Sequence, residues 1–232
     1  MWLRLPLAIL AIAALGGYPE AGQGTGLLDQ GSFSITVRGQ RVGREDFTIR
    51  TGSQGVALTF VAQATVQYRE RQLAPLLVAD SAGVPLSYEI TVRTADDATE
   101  VWKGSIVRGR MSARIQTGRG QVAREYIIPD GTLIVDDEVF HQYYFVARQR
   151  GRGSVNVLSP RSNTQSRLAI TSAGEERLQI GPVELQATHL VLTDASGAQR
   201  DLWIDAEGRI LRVVLPAAGI VATRDDPPRQ PR

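Results

Sequence analysis

The sequence predicts a mainly β protein: one large curved antiparallel sheet, an incomplete barrel, wrapped around a single main helix. Three observations carry this expectation. Most of the chain alternates polar and apolar residues with a period of two, which sends successive side chains to opposite faces of a strand. Short glycine-bearing turns separate these runs and suit antiparallel neighbours, since a parallel return needs a long crossover. Only one internal stretch, starting at Asp136, changes to helical spacing.

The elements follow in order. Residues 32–37 alternate through Phe33, Ile35 and Val37, and a turn over residues 39–43 leads into a second strand at 45–49. A glycine turn at 51–55 precedes strands at 56–61 and 64–71, and the more apolar 73–78 begins the next. After the turn at 81–85, residues 86–94 place Tyr88, Ile90 and Val92 on one face. Strands at 100–107, 111–117 and 122–127 complete this meander. The spacing of Val139, Phe140, Tyr143, Tyr144, Phe145 and Val146 then predicts a helix of about three turns, with Asp136 as its cap and Asp137 and Glu138 in its first turn. Arg148 and Arg150 suit its last turn, and Gly151 or Gly153 its end. Strand patterns resume at 154–158, 167–171, 175–180 and 183–193. Residues 199–214 read as a hairpin whose turn, 205–209, has Gly208 at a positive-φ position. No linker interrupts the pattern, which favours one domain over residues 22–224.

The ends read differently. A charged start, Met1 to Arg4, precedes a short apolar run and small residues, the pattern of a signal peptide over residues 1–21, cut after Gly16 or Ala21. The apolar run falls short of the roughly 20 residues of a spanning helix, so no stable transmembrane segment is expected after cleavage, and the expected location is periplasmic or secreted. Residues 225–232, with three prolines, read as a disordered tail.

Composition removes several chemistries. Among 232 residues there is no cysteine, which excludes disulfides, thiol nucleophiles and thiolate zinc sites, and only two histidines. No metal or other cofactor is expected. The net charge is +2, and all but one of the 26 cations are arginine. Arg108, Arg110, Arg114, Arg119 and Arg124 form one acid-free stretch, and Arg148, Arg150, Arg152, Arg161 and Arg167 a second. They suit either a solvated sheet face or an anionic envelope polymer. No nucleic-acid-binding motif is present, so no nucleic-acid partner is expected.

Candidate chemistry centres on His141, four residues after Asp137 and three after Glu138, as a base for an exported hydrolase. No Gly-x-Ser-x-Gly elbow supplies a nucleophile. His189, in an alternating run, reads as a strand histidine with one polar partner. The hydrolase is the alternative; the preferred reading is a non-enzymatic envelope protein that takes a lipid or other amphiphile in a β-lined cavity, with Phe140, Tyr143, Tyr144 and Trp203 as ligand-binding candidates.

Three segments carry a family likeness: residues 33–47 with Gly39, Val42, Gly43 and Phe47; residues 133–143; and residues 202–213. The order of these signals resembles exported bacterial proteins of uncharacterised families related to the lipoprotein-localisation fold. That resemblance implies a half-barrel around helical cover with an apolar cavity, and no catalytic set. The lipid-attachment cysteine of anchored members is absent here, so the resemblance implies a soluble carrier.

Overall fold

The computed structural model describes residues 26–229 apart from Val56; the expected leader lies outside them. The chain builds fifteen strands. They are β1 (Leu27–Val37), β2 (Gln40–Gln54), β3 (Ala57–Tyr68), β4 (Arg71–Asp80), β5 (Pro85–Arg93), β6 (Thr99–Val107), β7 (Arg110–Thr117) and β8 (Gly120–Ile127) in the first half. The second half holds β9 (Leu133–Ile134), a short helix α1 (Tyr143–Ala147), then β10 (Ser154–Ser159), β11 (Thr164–Ile180), β12 (Val183–Thr193), β13 (Gln199–Ile204), β14 (Ile210–Leu215) and β15 (Ile220–Arg224).

All fifteen join one sheet in the order β8-β7-β6-β5-β4-β3-β2-β1-β15-β14-β13-β12-β11-β10-β9. Two sequential meanders thus meet at the antiparallel β1–β15 pair. Every pairing is antiparallel except the short β9–β10 contact. Alternation explains the core. Phe33 and Ile35 of β1, Phe47 and Ile49 of β2, and Leu202 and Ile204 of β13 are all buried, and they share one apolar cluster with α1. A smaller cluster of Leu178, Ile180, Ala187 and Leu211, with Trp203 packed on it, stands apart. Trp203 falls between Leu202 and Ile204, so it lies on the opposite face of the sheet.

The expected curved half-barrel wrapped around a main helix does not hold. The ladder is open, with β8 at one end and β9 at the other, and no pairing joins these ends. Nothing helical among the described residues exceeds the five residues of α1. The polar side chains explain why the helix fails to start at Asp136. Its carboxylate is held by Tyr88, Ser159 and Arg161, and its N–H donates to Gln142 Oε1 at 2.7 Å. Glu138 adopts φ 66°, a left-handed conformation that stops helix growth. Tyr143, Tyr144 and Phe145 donate three residues back, so tight turns lead into α1.

Other differences are of extent. Residues 57–61 and 64–68 of the two expected runs belong to the one strand β3, because alternation continues through Ala62 and Ala64, where the pattern is faint, and Arg69 and Glu70 then turn into β4. The runs at 167–171 and 175–180 are one strand, β11, with a register shift between Ser172 and Gly174. The turn at 205–209 forms as expected, with Gly208 at φ 81°. Asp225 donates its N–H to Ser32 and accepts from Ser34 and Arg44, while the Arg229 carbonyl accepts from Arg209. No helix among the described residues is long and apolar enough to cross a membrane.

Candidate functional site

The segment from Val135 to Gln149 lies against the apolar face of the sheet, tied there by two buried carboxylates. The first is Glu45. On β2 it occupies the same row as Phe47 and Ile49, flanked by Phe33 and Val66 on the neighbouring strands, and it is fully buried. Its oxygens accept the N–H groups of Phe140 at 2.7 Å and His141 at 3.1 Å, and Oε1 also meets His141 Nδ1. One carboxylate thus satisfies the backbone of a turn that has no helix to satisfy it. The His141 ring stacks on Phe47 with centroids 5.9 Å apart.

The second is Asp136. Tyr88 donates to Oδ2 at 2.8 Å, Arg161 Nε to the same oxygen at 2.8 Å, and Ser159 to Oδ1 at 3.0 Å. Burial, and then the neighbouring Asp136 charge, push the Tyr88 phenol well above its ordinary value. Beside it Arg71 and Arg161 flank Glu138. Burial nevertheless holds Glu138 above the usual carboxylate range, with the two arginines opposing that shift.

Between this segment and strands β10, β13 and β14 lies a partly open cleft of about 450 Å³. Its apolar wall includes Val135, Val139, Phe140, Tyr143, Val157 and Leu215. Its polar wall includes Asp137, Glu138, Ser162, Asp194 and Arg200. Arg200 donates to the Tyr143 hydroxyl at 3.2 Å, which fixes that ring at the cleft. A broader groove of about 950 Å³ runs across the outer side of β1 to β4, beside Asp226, Pro227 and Arg229.

The sequence-predicted residues divide among these places. Phe140 and Tyr143 line the cleft, together with Asp137 and Glu138. Tyr144 is buried nearby, edge-on to Phe145 and under the Arg148 guanidinium. Trp203 is on the other face of the sheet. His141 is brought to Glu45 rather than to Asp137 or Glu138, and it lines none of the principal cavities. Its Nε2 and the Gln142 Nε2 are buried without a hydrogen-bond partner. The two arginine stretches are partly engaged within the protein: Arg161 on Asp136, Arg124 over Trp102 and Arg148 over Phe60.

Glu45 is the residue that sequence reasoning passed over, although alternation sets a carboxylate in line with Phe47 and Ile49, a signal of a buried polar partner. His189, read from the sequence as a strand histidine with one polar partner, has two. On the outer face, His189 bridges Glu176 and Asp201, each at 2.9 Å, and stacks on Trp203, whose indole donates to Glu176. Among the described residues no group of three or more His, Asp or Glu side chains is arranged to hold a metal ion.

No family model matches the chain, and no curated protein matches it. A solved structure does: a β-barrel-like protein of a domain of unknown function, DUF1849, from Brucella abortus, with a TM-score of 0.53. The match covers 88% of this chain and 98% of that one, at 8% identity. At that identity it is a likeness of fold alone, to an uncharacterised β-structured protein, and the narrower likeness to the lipoprotein-localisation fold has no counterpart in it.

Proposed function

We propose that this chain is an exported, non-enzymatic envelope protein that binds a small lipid or other amphiphile in the cleft beside α1. The observation that carries the reading is the cleft itself. It pairs an apolar wall of Val135, Val139, Phe140 and Tyr143 with a charged rim at Asp137, Glu138 and Arg200. Its size, about 450 Å³, falls among small-molecule sites, which run roughly from 300 to 1,000 Å³. An acyl or aromatic tail would displace water from the apolar wall, while a polar head would stay at the rim. Export rests on the leader pattern of the first residues.

The test uses the full chain and a fluorescent fatty acid. Ala217 lies at the cleft on an exposed turn, so Ala217→Trp narrows the site without entering the core. Saturable binding that this variant weakens by about tenfold or more is the expected result. A folded chain that binds no amphiphile, and that shows no co-purified ligand by native mass spectrometry, would overturn the reading.

A further inference from the structure

The two ends of the ladder are unlike. β9 is two buried residues. β8 is eight residues long, and Tyr126 is its one buried side chain. It runs in unbroken register along β7, without a bulge or a proline. Long edges are ordinarily blunted by such devices, because a row of unpaired backbone groups is a template for another strand.

Geometry identifies that row. Opposed residues of an antiparallel pair alternate between exchanging both hydrogen bonds and directing both groups outward. The Ile128 N–H donates to the Gly109 carbonyl at 2.9 Å. With the β7–β8 register, this puts residues 120, 122, 124 and 126 in the bonded class. Gln121, Ala123, Glu125 and Ile127 therefore direct N–H and C=O away from β7, and no backbone group among the described residues meets them.

The edge also has a charge and an apolar character. Residues 101–129 contain six Lys or Arg and a single acid, Glu125. Glu125 pairs with Arg110, whereas Arg108, Arg114 and Arg119 are exposed with no ion-pair partner among the described residues. Val107 and Ile127, 65% and 67% exposed, share one face, and Val122, 60% exposed, lies on the other. A second copy of β8 would bring a second set of these cations to the same edge, and the summed positive charge disfavours that approach.

We propose that β8 is a strand-addition site for an extended acidic segment of another protein. The segment pairs with the four outward rungs, lays its apolar side chains beside Val122 on one face of the sheet, and offers carboxylates on the other face, which carries Arg114, and to Arg108 and Arg119 in the flanking turns. Backbone bonds supply adhesion, and the alternating side chains supply selectivity. This surface is separate from the amphiphile cleft.

The probe is a fluorescein-labelled octapeptide of alternating valine and glutamate, titrated into the full chain by polarisation. Binding is expected to be saturable, to weaken with salt, and to slow amide exchange at residues 121, 123, 125 and 127. Ala123→Pro removes one outward N–H, a place where an edge strand tolerates proline, and lowers affinity by about tenfold or more. The double variant Arg114→Glu and Arg119→Glu leaves the backbone intact and weakens binding with a flatter salt dependence, which tests the proposal independently of how Ala123→Pro folds. A peptide that does not bind, or that binds the charge-reversed chain equally well, overturns it. So does a dimer of the chain that Ala123→Pro dissociates, since the occupant would then be a second copy.

Discussion

The protein uses its two histidines in contrasting ways, although each meets a carboxylate carried by a strand. His141 is in the core, where Glu45 accepts from its backbone and from that of Phe140 as well as meeting its ring. His189 is on the outer face, where Glu176 and Asp201 bracket it and Trp203 covers it. The first arrangement fixes a whole segment, since the turns before α1 have no regular ladder to satisfy them. The second joins β11, β12 and β13, which are already joined by backbone pairing. A buried polar tie is costly to break because the groups left behind have no water. A half-buried tie at the sheet surface, such as that of His189, costs less, because water can reach the groups left behind.

The largest expected effect tests the inner tie. Glu45→Ala strands two backbone donors in the core, and a loss of about 3–5 kcal/mol is expected in urea unfolding. A loss below about 1 kcal/mol would show that the comparison is misdrawn. The Tyr88–Asp136 bond is intermediate. Tyr88→Phe deletes one buried hydroxyl and should lower stability by about 1–2 kcal/mol near neutrality.

The same pair predicts an alkaline signature. Tyr88 is held above its ordinary pKa of 10.0 first by burial and then by Asp136. The unfolded chain therefore releases this proton at lower pH than the folded chain. The contribution is complete below pH 10.0 and is lost as pH rises from there through the folded value. Stability of the parent should fall over that range, and that of Tyr88→Phe should fall less; parallel alkaline melts would remove the assignment. The smallest effect is expected at the outer cluster. His189→Gln should barely move the melting temperature, and a shift as large as that of Glu45→Ala would erase the distinction between the two faces.

What the sequence disclosed follows the range of the interactions. Period-two runs and the 205–209 turn are decided by neighbours, so most strands and the Gly208 conformation were legible. β15 was passed over because its five residues stand between a one-turn helix and the proline-rich end, although Ile220 and Val221 carry strand propensity. The helix over 136–150 was overestimated because aromatic spacing was visible and the competing ties were not. Glu45 stands 96 positions before His141, and Ser159 and Arg161 reach Asp136 from beyond α1. Of the cleft, Phe140 and Tyr143 could be chosen from spacing, whereas Arg200 and Leu215 arrive only through the pairing of the second meander.

The meeting of β1 with β15 bears on the timing of folding. Thirteen of the fourteen neighbouring pairs in the ladder join strands consecutive in sequence, so each can form soon after its two strands exist. The remaining pair unites Phe33 with Arg224, close to opposite ends of the described chain. Non-local closure of this kind is slow, and during synthesis it must wait until residues 220–224 have emerged. Until then the first meander has two unprotected flanks, β1 as well as β8. A nascent chain paused before residue 220 should accordingly depend on chaperones that shield strand edges, and release from them should coincide with the arrival of β15.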